Sequence, residues 1–176
     1  MVTTIAMLKK YIIIILLLVP VAAQAQTMEA GVLGGINSDS GWTGSAAFYL
    51  KLWKLQVGPV VEMHSTPGKY VFPAFATSTY TAILPGVNVN YIFPITRGYV
   101  YPGITARYRT GNDGLADYSG VDYGLQMGVV FKLVKSLSLN GETGFRSENT
   151  NVTHPSGSGK ITNTYIPITI GLRVGF

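Results

Sequence analysis

The last eleven residues of the chain alternate strictly between two kinds of side chain. The odd positions from 167 to 175 are polar, small or proline, and the even positions are Ile166, Ile168, Ile170, Leu172, Val174 and Phe176. A period of two predicts a β-strand, because successive side chains of a strand point to opposite faces. The chain therefore ends in a strand with one apolar face, which protein or lipid must cover.

The first 25 residues have the three parts of a secretory signal peptide. Lys9 and Lys10 form a basic start, residues 11–23 are apolar, and Ala23-Gln24-Ala25 fits the small-x-small cleavage rule. The apolar run of about 13 residues is shorter than the roughly 20 that span a bilayer as a helix, and Pro20 interrupts it. We expect a signal peptide, 1–25, and one mature domain, 26–176.

The composition excludes several classes of protein. There is no cysteine, so the chain has neither a disulfide framework nor a thiolate metal site. Without Lys9 and Lys10, the 13 basic residues fall to 11 against 8 acidic ones, a net charge of +3. This charge is too small to indicate a nucleic-acid partner, and export argues against one as well.

Eight segments of the mature chain show the same alternation as its end. We predict strands at 27–37, 41–51, 54–64, 78–92, 98–109, 120–133, 136–147 and 161–176. In the sixth segment, for example, apolar odd positions from Val121 to Phe131 alternate with Asp122, Gly124 and Gln126. The predicted fold class is therefore all-β.

Six of the seven connections between these strands alternate in length, and the first, 38–40, is short but belongs to the side of the long connections by its order. Those at 52–53, 94–97 and 134–135 are short, whereas those at 65–77, 110–119 and 148–160 are long and rich in glycine, serine, asparagine and proline. Outer-membrane barrels have this asymmetry, with short periplasmic turns and longer outer loops. We therefore predict an antiparallel up-and-down barrel of eight strands, with both mature termini periplasmic and the long loops available to a partner.

Aromatic residues mark both ends of the apolar face. Four lie at the long-loop ends of their strands: Trp42, Tyr108, Tyr123 and Phe145. Four lie at the short-turn ends: Tyr91, Phe93, Phe131 and Phe176. Amphipathic rings favour the headgroup level of a bilayer, so we interpret the two sets as aromatic girdles around a transmembrane barrel.

Alternation alone leaves open which face points inward. A soluble, lipocalin-like carrier would turn its apolar face into the barrel. Here the apolar face carries no charged residue in any of the eight segments, and glycines and other small residues occupy the polar face. Small side chains suit the narrow interior of an eight-stranded barrel, which favours a lipid-facing apolar surface.

The polar face predicts a network of charged and amide side chains in the lumen. Its members are Glu29, Glu62, Asn88, Arg107, Arg109, Asp122, Gln126, Glu142, Arg146 and Arg173. We expect Glu29 and Arg173 to meet where the first and last strands close the barrel, because a buried charge needs a partner. Eight strands leave just enough space for side chains, so a plugged lumen is favoured over a narrow path for small solutes or ions.

Taken together, these features resemble the small outer-membrane β-barrel family of Gram-negative bacteria, which includes PorT-like proteins. The resemblance covers 26–176 and rests on Ala23-Gln-Ala-Gln26, the eight strands and the ending Gly171-Leu-Arg-Val-Gly-Phe176. That ending is similar to the signal recognised by the barrel-assembly machinery. The resemblance implies an outer-membrane protein surrounded by the lipids of that membrane and inserted through the strand that ends at Phe176. It carries no catalytic residue over.

Motifs for chemistry are weak in this chain. His64-Ser65 lies at the end of a predicted strand, and His154 and Ser156 lie in a predicted loop, which does not preorganise a nucleophile and a base. A lipid-modifying enzyme is therefore only a further alternative. Two histidines so far apart do not suggest a metal site. We expect no enzymatic activity, cofactor or metal, and a structural or interaction role.

Overall fold

The computed structural model describes residues 27–67, 79–112, 116–155 and 157–176. The expected signal peptide, 1–25, and most of the expected loop 65–77 lie outside these residues. The described chain forms ten β-strands, namely β1 (Thr27–Asn37), β2 (Trp42–Leu52), β3 (Leu55–Pro67), β4 (Thr79–Tyr91), β5 (Phe93–Ile95), β6 (Gly98–Asn112), β7 (Asp117–Lys132), β8 (Leu137–His154), β9 (Gly157–Tyr165) and β10 (Pro167–Gly175).

The strands form one antiparallel sheet that closes on itself. β1 pairs with β2 on one side and with β10 on the other, from Glu29 opposite Gly175 to Asn37 opposite Pro167. β10 also pairs with β8, which completes the circle. Since β5 prolongs β4 along β6, and β9 prolongs β10 along β8, the ten segments make eight barrel strands. The predicted eight-stranded antiparallel barrel is confirmed.

Two of the barrel strands are interrupted at an isoleucine. At Ile92, between β4 and β5, the backbone amide donates to the carbonyl of Lys54 at 2.6 Å. At Ile166, between β9 and β10, the amide donates to the hydroxyl of Ser38 at 2.9 Å. Both breaks therefore keep their backbone groups bonded to the adjoining turn, and the barrel wall stays continuous.

The barrel is polar inside and apolar outside. Arg109 and Asp122 are fully buried, whereas Val32, Leu125 and Ile168 on the outer face are 59–64% exposed. A soluble barrel has the opposite arrangement, so the carrier alternative is wrong. No helix in the described part of the chain is long and apolar enough to cross a membrane.

The two ends of the barrel differ. We call one end the turn rim: it carries the short turns at 53–54, 96–97 and 133–136. The other end, the hairpin rim, carries the turn at 38–41 and the ends of the β6–β7 and β8–β9 hairpins. The short turns lie within a residue or two of their predicted positions.

Two of the predicted long loops are mostly strand, which corrects the sequence-based expectation. Within 110–119, β6 runs to Asn112 and β7 begins at Asp117, with Asn112 paired to Asp117. Within 148–160, β8 runs to His154, opposite Gly157 at the start of β9. These polar segments lack the apolar alternation that marks a membrane-spanning strand, because both hairpins continue beyond the outer apolar band. β3 likewise extends to Pro67, so 65–77 begins as strand.

Candidate functional site

All ten residues predicted for the lumen are buried inside the barrel. None of them is more than 8% exposed. Five carboxylates lie in the interior, and the described chain places five cations among them: Glu29, Glu62, Asp122, Glu142 and Glu148 with Lys51, Arg107, Arg109, Arg146 and Arg173. Because the two sets are equal in number, the interior is close to electrically neutral without needing counter-ions.

Glu62 is the centre of the ion pairs in the half of the lumen nearer the hairpin rim. One of its carboxylate oxygens lies 3.2 Å from Arg107 and 3.5 Å from Arg146. Arg146 also reaches Glu142 at 3.5 Å. Side chains from β3, β6 and β8 thus meet across the lumen, so the charges join opposite walls of the barrel rather than neighbouring strands alone.

Asp122 and Arg109 form a second, fully buried pair. The guanidinium of Arg109 donates to Asp122 at 3.0 Å, and the hydroxyl of Tyr165 donates to the same carboxylate oxygen at 2.6 Å. Arg109 also lies 3.4 Å from Glu148, which accepts a hydrogen bond from Thr150 at 2.8 Å. The sequence placed Glu148 in an outer loop, and that placement is wrong, since Glu148 is 2% exposed on the inner face of β8.

Glu29 organises the lumen near the turn rim. It forms an ion pair with Lys51, accepts from Gln56 at 3.1 Å and accepts a hydrogen bond from the hydroxyl of Tyr99. Arg173 lies 3.7 Å away from it. The structure therefore brings Glu29 and Arg173 together, as predicted for the first and last strands. Lys51, however, lies closer to the Glu29 carboxylate than Arg173 does.

Arg173 is held chiefly by tyrosines and an amide. It donates to Tyr101 at 2.8 Å, to Tyr99 at 3.1 Å and to Gln56 at 3.2 Å. Its guanidinium carbon lies 4.4 Å from the centre of the Tyr49 ring, which is cation–π geometry. A cation that contacts hydroxyls, an amide and an aromatic face at once is fixed in position.

Interior glycines make room for these large side chains. A Cβ at Gly31 would come within 2.8 Å of the Arg173 side chain. A Cβ at Gly128 would come within 2.4 Å of the Tyr101 ring, whose hydroxyl donates to Glu142 at 2.7 Å. The glycine-rich polar face of the sequence therefore reflects packing in a narrow lumen.

Amide side chains link these groups across the barrel. Asn90 donates to Gln56 at 3.0 Å, and Gln126 donates to Asn90 at 2.7 Å. Asn88 donates to the hydroxyl of Tyr49 at 3.0 Å. The first two hydrogen bonds form a series from β3 through β4 to β7. The predicted residues Asn88 and Gln126 therefore both contact partners on other strands.

Apolar clusters lie inside the barrel on both sides of the charged region. The cluster toward the hairpin rim consists of Ala82, Leu84, Ala116, Tyr118 and Val152, each at most 7% exposed. The second cluster, toward the turn rim, consists of Ile92, Tyr99, Tyr101 and Val130. The members of each cluster come from strands that are neighbours or near neighbours in the sheet, and they pack together on its inner face.

His64 lies inside the barrel close to the hairpin rim. Its Nδ1 lies 3.2 Å from the Asn37 amide, its Nε2 lies 3.7 Å from Asp39, and its ring packs 4.7 Å from that of Tyr165. A fully buried imidazole with contacts at both nitrogens is held as a structural group, and it does not present a base to a lipid substrate. The side chains of His154 and Ser156 lie outside the described residues.

Asp39 carries a shifted pKa in the turn of the hairpin rim. Burial raises this pKa, but the imidazole of His64 and the backbone amide of Gly41, which donates at 3.1 Å, outweigh burial and lower it overall. The contact joins the β1–β2 turn to β3. No group of three or more histidine, aspartate or glutamate side chains in the described chain is arranged to hold a metal ion.

The eight predicted girdle residues lie on the outer surface. Trp42, Tyr108, Tyr123 and Phe145 are 48–52% exposed toward the hairpin rim. Phe93, Phe131 and Phe176 are 40–70% exposed toward the turn rim, where the Tyr91 ring packs 4.9 Å from Phe93. Exposed charged side chains in the described chain occur only in turns and toward strand ends: Lys54, Arg97, Asp117, Lys132, Lys135 and Lys160.

The predicted lumen network lacks the interior tyrosines and Lys51, which the structure places within it. Tyr99 and Tyr101 share the odd positions of β6 with Arg107 and Arg109, and Tyr49 shares those of β2 with Lys51. The period of two was therefore a sufficient signal for their inward direction.

A closed eight-stranded barrel with an apolar outer band and a charged interior defines the class of small transmembrane-type β-barrels. Three solved structures of outer-membrane proteins share this architecture. A major outer membrane protein from Thermus thermophilus has a TM-score of 0.56 at 14% identity, over 85% of this chain and 99% of that chain. Neisserial surface protein A (NspA) has a TM-score of 0.55 at 13% identity, over 85% and 96% of the two chains.

The third structure is that of the outer membrane protein AlkL, determined in DMPC lipid bilayers. It has a TM-score of 0.53 at 14% identity, over 87% of this chain and 90% of that chain. At these identities the likeness establishes the fold alone. No protein-family model matches the chain, and no curated protein matches it in sequence.

Proposed function

We propose that the chain is an integral outer-membrane β-barrel whose lumen is closed and whose hairpin rim serves a structural or interaction role. The observation that carries this proposal is the distribution of charge. Charges inside the barrel are neutralised by each other, and the exposed charges of the described residues lie beyond the outer apolar band. Only a surrounding hydrocarbon phase makes such an exterior favourable over its whole circumference.

We propose further that the turn rim is periplasmic and the hairpin rim faces the cell exterior, as in barrels with short periplasmic turns. Because the chain has no cysteine, single cysteines test this orientation directly. Thr153→Cys on β8 should react with a membrane-impermeant maleimide on intact cells. The matched variant Ser136→Cys, in a turn of the turn rim, should react only after the membrane is permeabilised. The reverse pattern would overturn the orientation.

The closed lumen is supported by packing along the barrel axis. Ion pairs cross the middle of the lumen, and apolar clusters occupy it on both sides. In planar bilayers the refolded protein should give no steady single-channel steps. Steady, voltage-independent conductance would contradict the plug and favour the alternative of a narrow channel for small ions or solutes.

The hairpin rim is the surface we propose for a partner. Beyond Phe145, the outward side chains of β8 are Ser147, Asn149, Asn151 and Thr153, so this surface is polar where it leaves the apolar band. Residues 65–77, 110–119 and 148–160 together form the proposed surface, with the last two as hairpins rather than loops. Replacing Asn149 and Asn151 with lysine should leave the barrel folded and alter only the binding of a partner to the hairpin rim.

Assignment to the PorT-like group, export through the signal peptide 1–25 and insertion by the barrel-assembly machinery also belong to the proposal. Phe176 is 70% exposed at the turn rim, and its backbone amide donates to the carbonyl of Met28 at 2.9 Å. Its side chain is therefore accessible to a recognition factor. Deleting Phe176 should lower the amount of protein in the outer membrane, whereas Phe176→Tyr should preserve it.

A further inference from the structure

The turn rim carries four exposed cations and, among the described residues, no exposed acidic side chain. The cations are Lys54 in the β2–β3 turn, Arg97 in the β5–β6 turn, and Lys132 and Lys135 around the β7–β8 turn. None of the ion pairs of the described chain involves these four residues; Glu29, the acidic residue at this end, is buried against Lys51. The described hairpin rim has mixed charge, with Asp39, Asp117 and Lys160.

Backbone hydrogen bonds hold the four cations along one continuous arc of the rim. Ile92 donates to the carbonyl of Lys54 at 2.6 Å, and Lys132 donates to the carbonyl of Arg97 at 2.8 Å. Gly175 donates to Ser136, beside Lys135, at 2.7 Å. The arc therefore extends from the β2–β3 turn round to β8, and the hydrogen-bonded turns fix the backbone positions of its cationic residues.

The same turns carry exposed apolar side chains next to the cations. Trp53 is 73% exposed and precedes Lys54, whose ammonium lies 5.2 Å from the indole ring centre. Leu133 and Val134, at 50% and 61% exposed, lie between Lys132 and Lys135. Trp53 also has a left-handed backbone, with φ of 56°, at a turn position that favours glycine. The turn therefore holds an exposed indole beside a cation at this rim.

We propose that this basic arc binds the anionic phosphate headgroups of phospholipids in the leaflet at the turn rim. Apolar side chains that enter the edge of the hydrocarbon, with cations next to them at headgroup depth, fit a membrane surface better than a water-borne partner. Positive side chains close to a surface of anionic lipid attract it cumulatively. The inference rests on the proposed membrane residence of the barrel.

Trp53 reports on the lipids at this rim. The chain has two tryptophans, so Trp42→Phe leaves Trp53 as the sole indole donor. The variant is inserted into phosphatidylcholine vesicles that contain a small fraction of dansyl-labelled phosphatidylglycerol or, in a parallel sample, dansyl-labelled phosphatidylcholine. Energy transfer to the anionic probe should exceed transfer to the zwitterionic probe roughly twofold. The excess should vanish at about 1 M salt, where the Debye length is ~3 Å.

Three variants serve as comparisons for this measurement. Replacing all four cations by glutamine in the Trp42→Phe background should reduce the transfer ratio to about one. Lys160→Gln, an exposed change at the hairpin rim, should leave the ratio unaltered. Trp53→Phe, which keeps Trp42 at the hairpin rim as the donor, should show no preference for the anionic probe.

A ratio near one in the Trp42→Phe protein, or a ratio that survives loss of the four cations, overturns the inference. The boiling-dependent gel shift of the protein from the same vesicles shows separately whether the barrel has inserted. It therefore distinguishes failure of the proposed membrane residence from failure of the lipid preference. If the barrel inserts and shifts but shows no lipid preference, only the basic arc is refuted. If no variant inserts, the membrane proposal itself fails, and the inference fails with it.

Discussion

At the residue scale, the lumen shows how a buried carboxylate is stabilised by several partners of different kinds. Glu29 contacts Lys51, Gln56 and Tyr99, with Arg173 at 3.7 Å. Removing one partner of a buried pair exposes the remaining charge to a poorly hydrated environment, whereas removing both avoids that cost. The coupling energy from a double-mutant cycle therefore describes the interaction of two such residues better than the loss of stability caused by either single substitution.

We predict that Glu29 and Arg173 are energetically coupled. In the Glu29→Gln protein, Arg173 faces Lys51 without the carboxylate between them, so Arg173→Gln should cost less than it does in the wild type. A double-mutant cycle from urea unfolding in lipid vesicles should give a coupling of about 1 kcal/mol. The pair of Arg173→Gln with Lys160→Gln is the control and should be additive. Additive losses for the first pair would refute the interaction.

A pH dependence follows from Asp39. Its pKa is lowered on folding, so its ionised form stabilises the folded state above the unfolded carboxyl pKa of about 3.9. That contribution is lost as the pH falls through the folded pKa. Asp39→Asn should therefore be less stable than the wild type at neutral pH, and the difference should shrink below about pH 4. An unfolding difference that is constant between pH 7 and pH 3 would contradict this account.

The alternation of odd and even positions predicted which residues face the lumen, but it could not predict which of these residues form ion pairs with each other. Arg107 and Asp122 are opposite in register, yet Asp122 binds Arg109, and Arg107 binds Glu62 across the barrel. These choices depend on the curvature of the closed sheet and on the space left by glycines such as Gly31. Neither the curvature of the sheet nor this space can be read from the sequence.

At the element scale, alternation located the strands well where their outer face is apolar and poorly where it is polar. The first strand was predicted at 27–37 and is observed there, whereas β8 continues to His154 rather than ending near 147. In 148–154 the outward residues are polar and the inward ones are Glu148, Thr150 and Val152, so apolar alternation disappears while strand pairing continues. Hydrogen bonding, which a sequence does not display, maintains the strand there.

Two glycines with nearly the same backbone conformation test the geometry of the hairpins. Gly98 and Gly157 have φ of 151° and 154°. A Cβ at Gly98 would lie 1.8 Å from the carbonyl oxygen of Val130, whereas one at Gly157 would meet nothing within 4 Å. Both substitutions to alanine strain the backbone, but only Gly98→Ala also requires the β6–β7 pairing to open.

We predict that Gly98→Ala destabilises the barrel by at least about 2 kcal/mol more than Gly157→Ala, because only the former adds a clash with rigid backbone. Urea unfolding in vesicles measures both. Equal losses for the two variants would show that Val130 is not packed against Gly98 as described.

At the scale of the whole molecule, the described barrel has its ion pairs inside and a band of exposed apolar side chains outside, the reverse of a soluble barrel. Strand number, alternation and the asymmetry of the connections were sufficient to predict this architecture from the sequence. The apolar cluster toward the hairpin rim was not foreseen, because Leu84, Tyr118 and Val152 come from three different strands and meet only when the sheet is formed and curved. The closed sheet thus encloses the charged residues and leaves the apolar side chains on its outer face.

The most direct test of this account is the electrophoretic mobility of the mature protein, refolded in detergent, with and without boiling. A closed, detergent-stable barrel binds less denaturing detergent and remains compact, so the unboiled sample should migrate differently from the boiled one. The difference should persist in moderate urea. If boiling changed nothing, and the protein stayed soluble after detergent removal, the outward placement of the apolar face would be wrong.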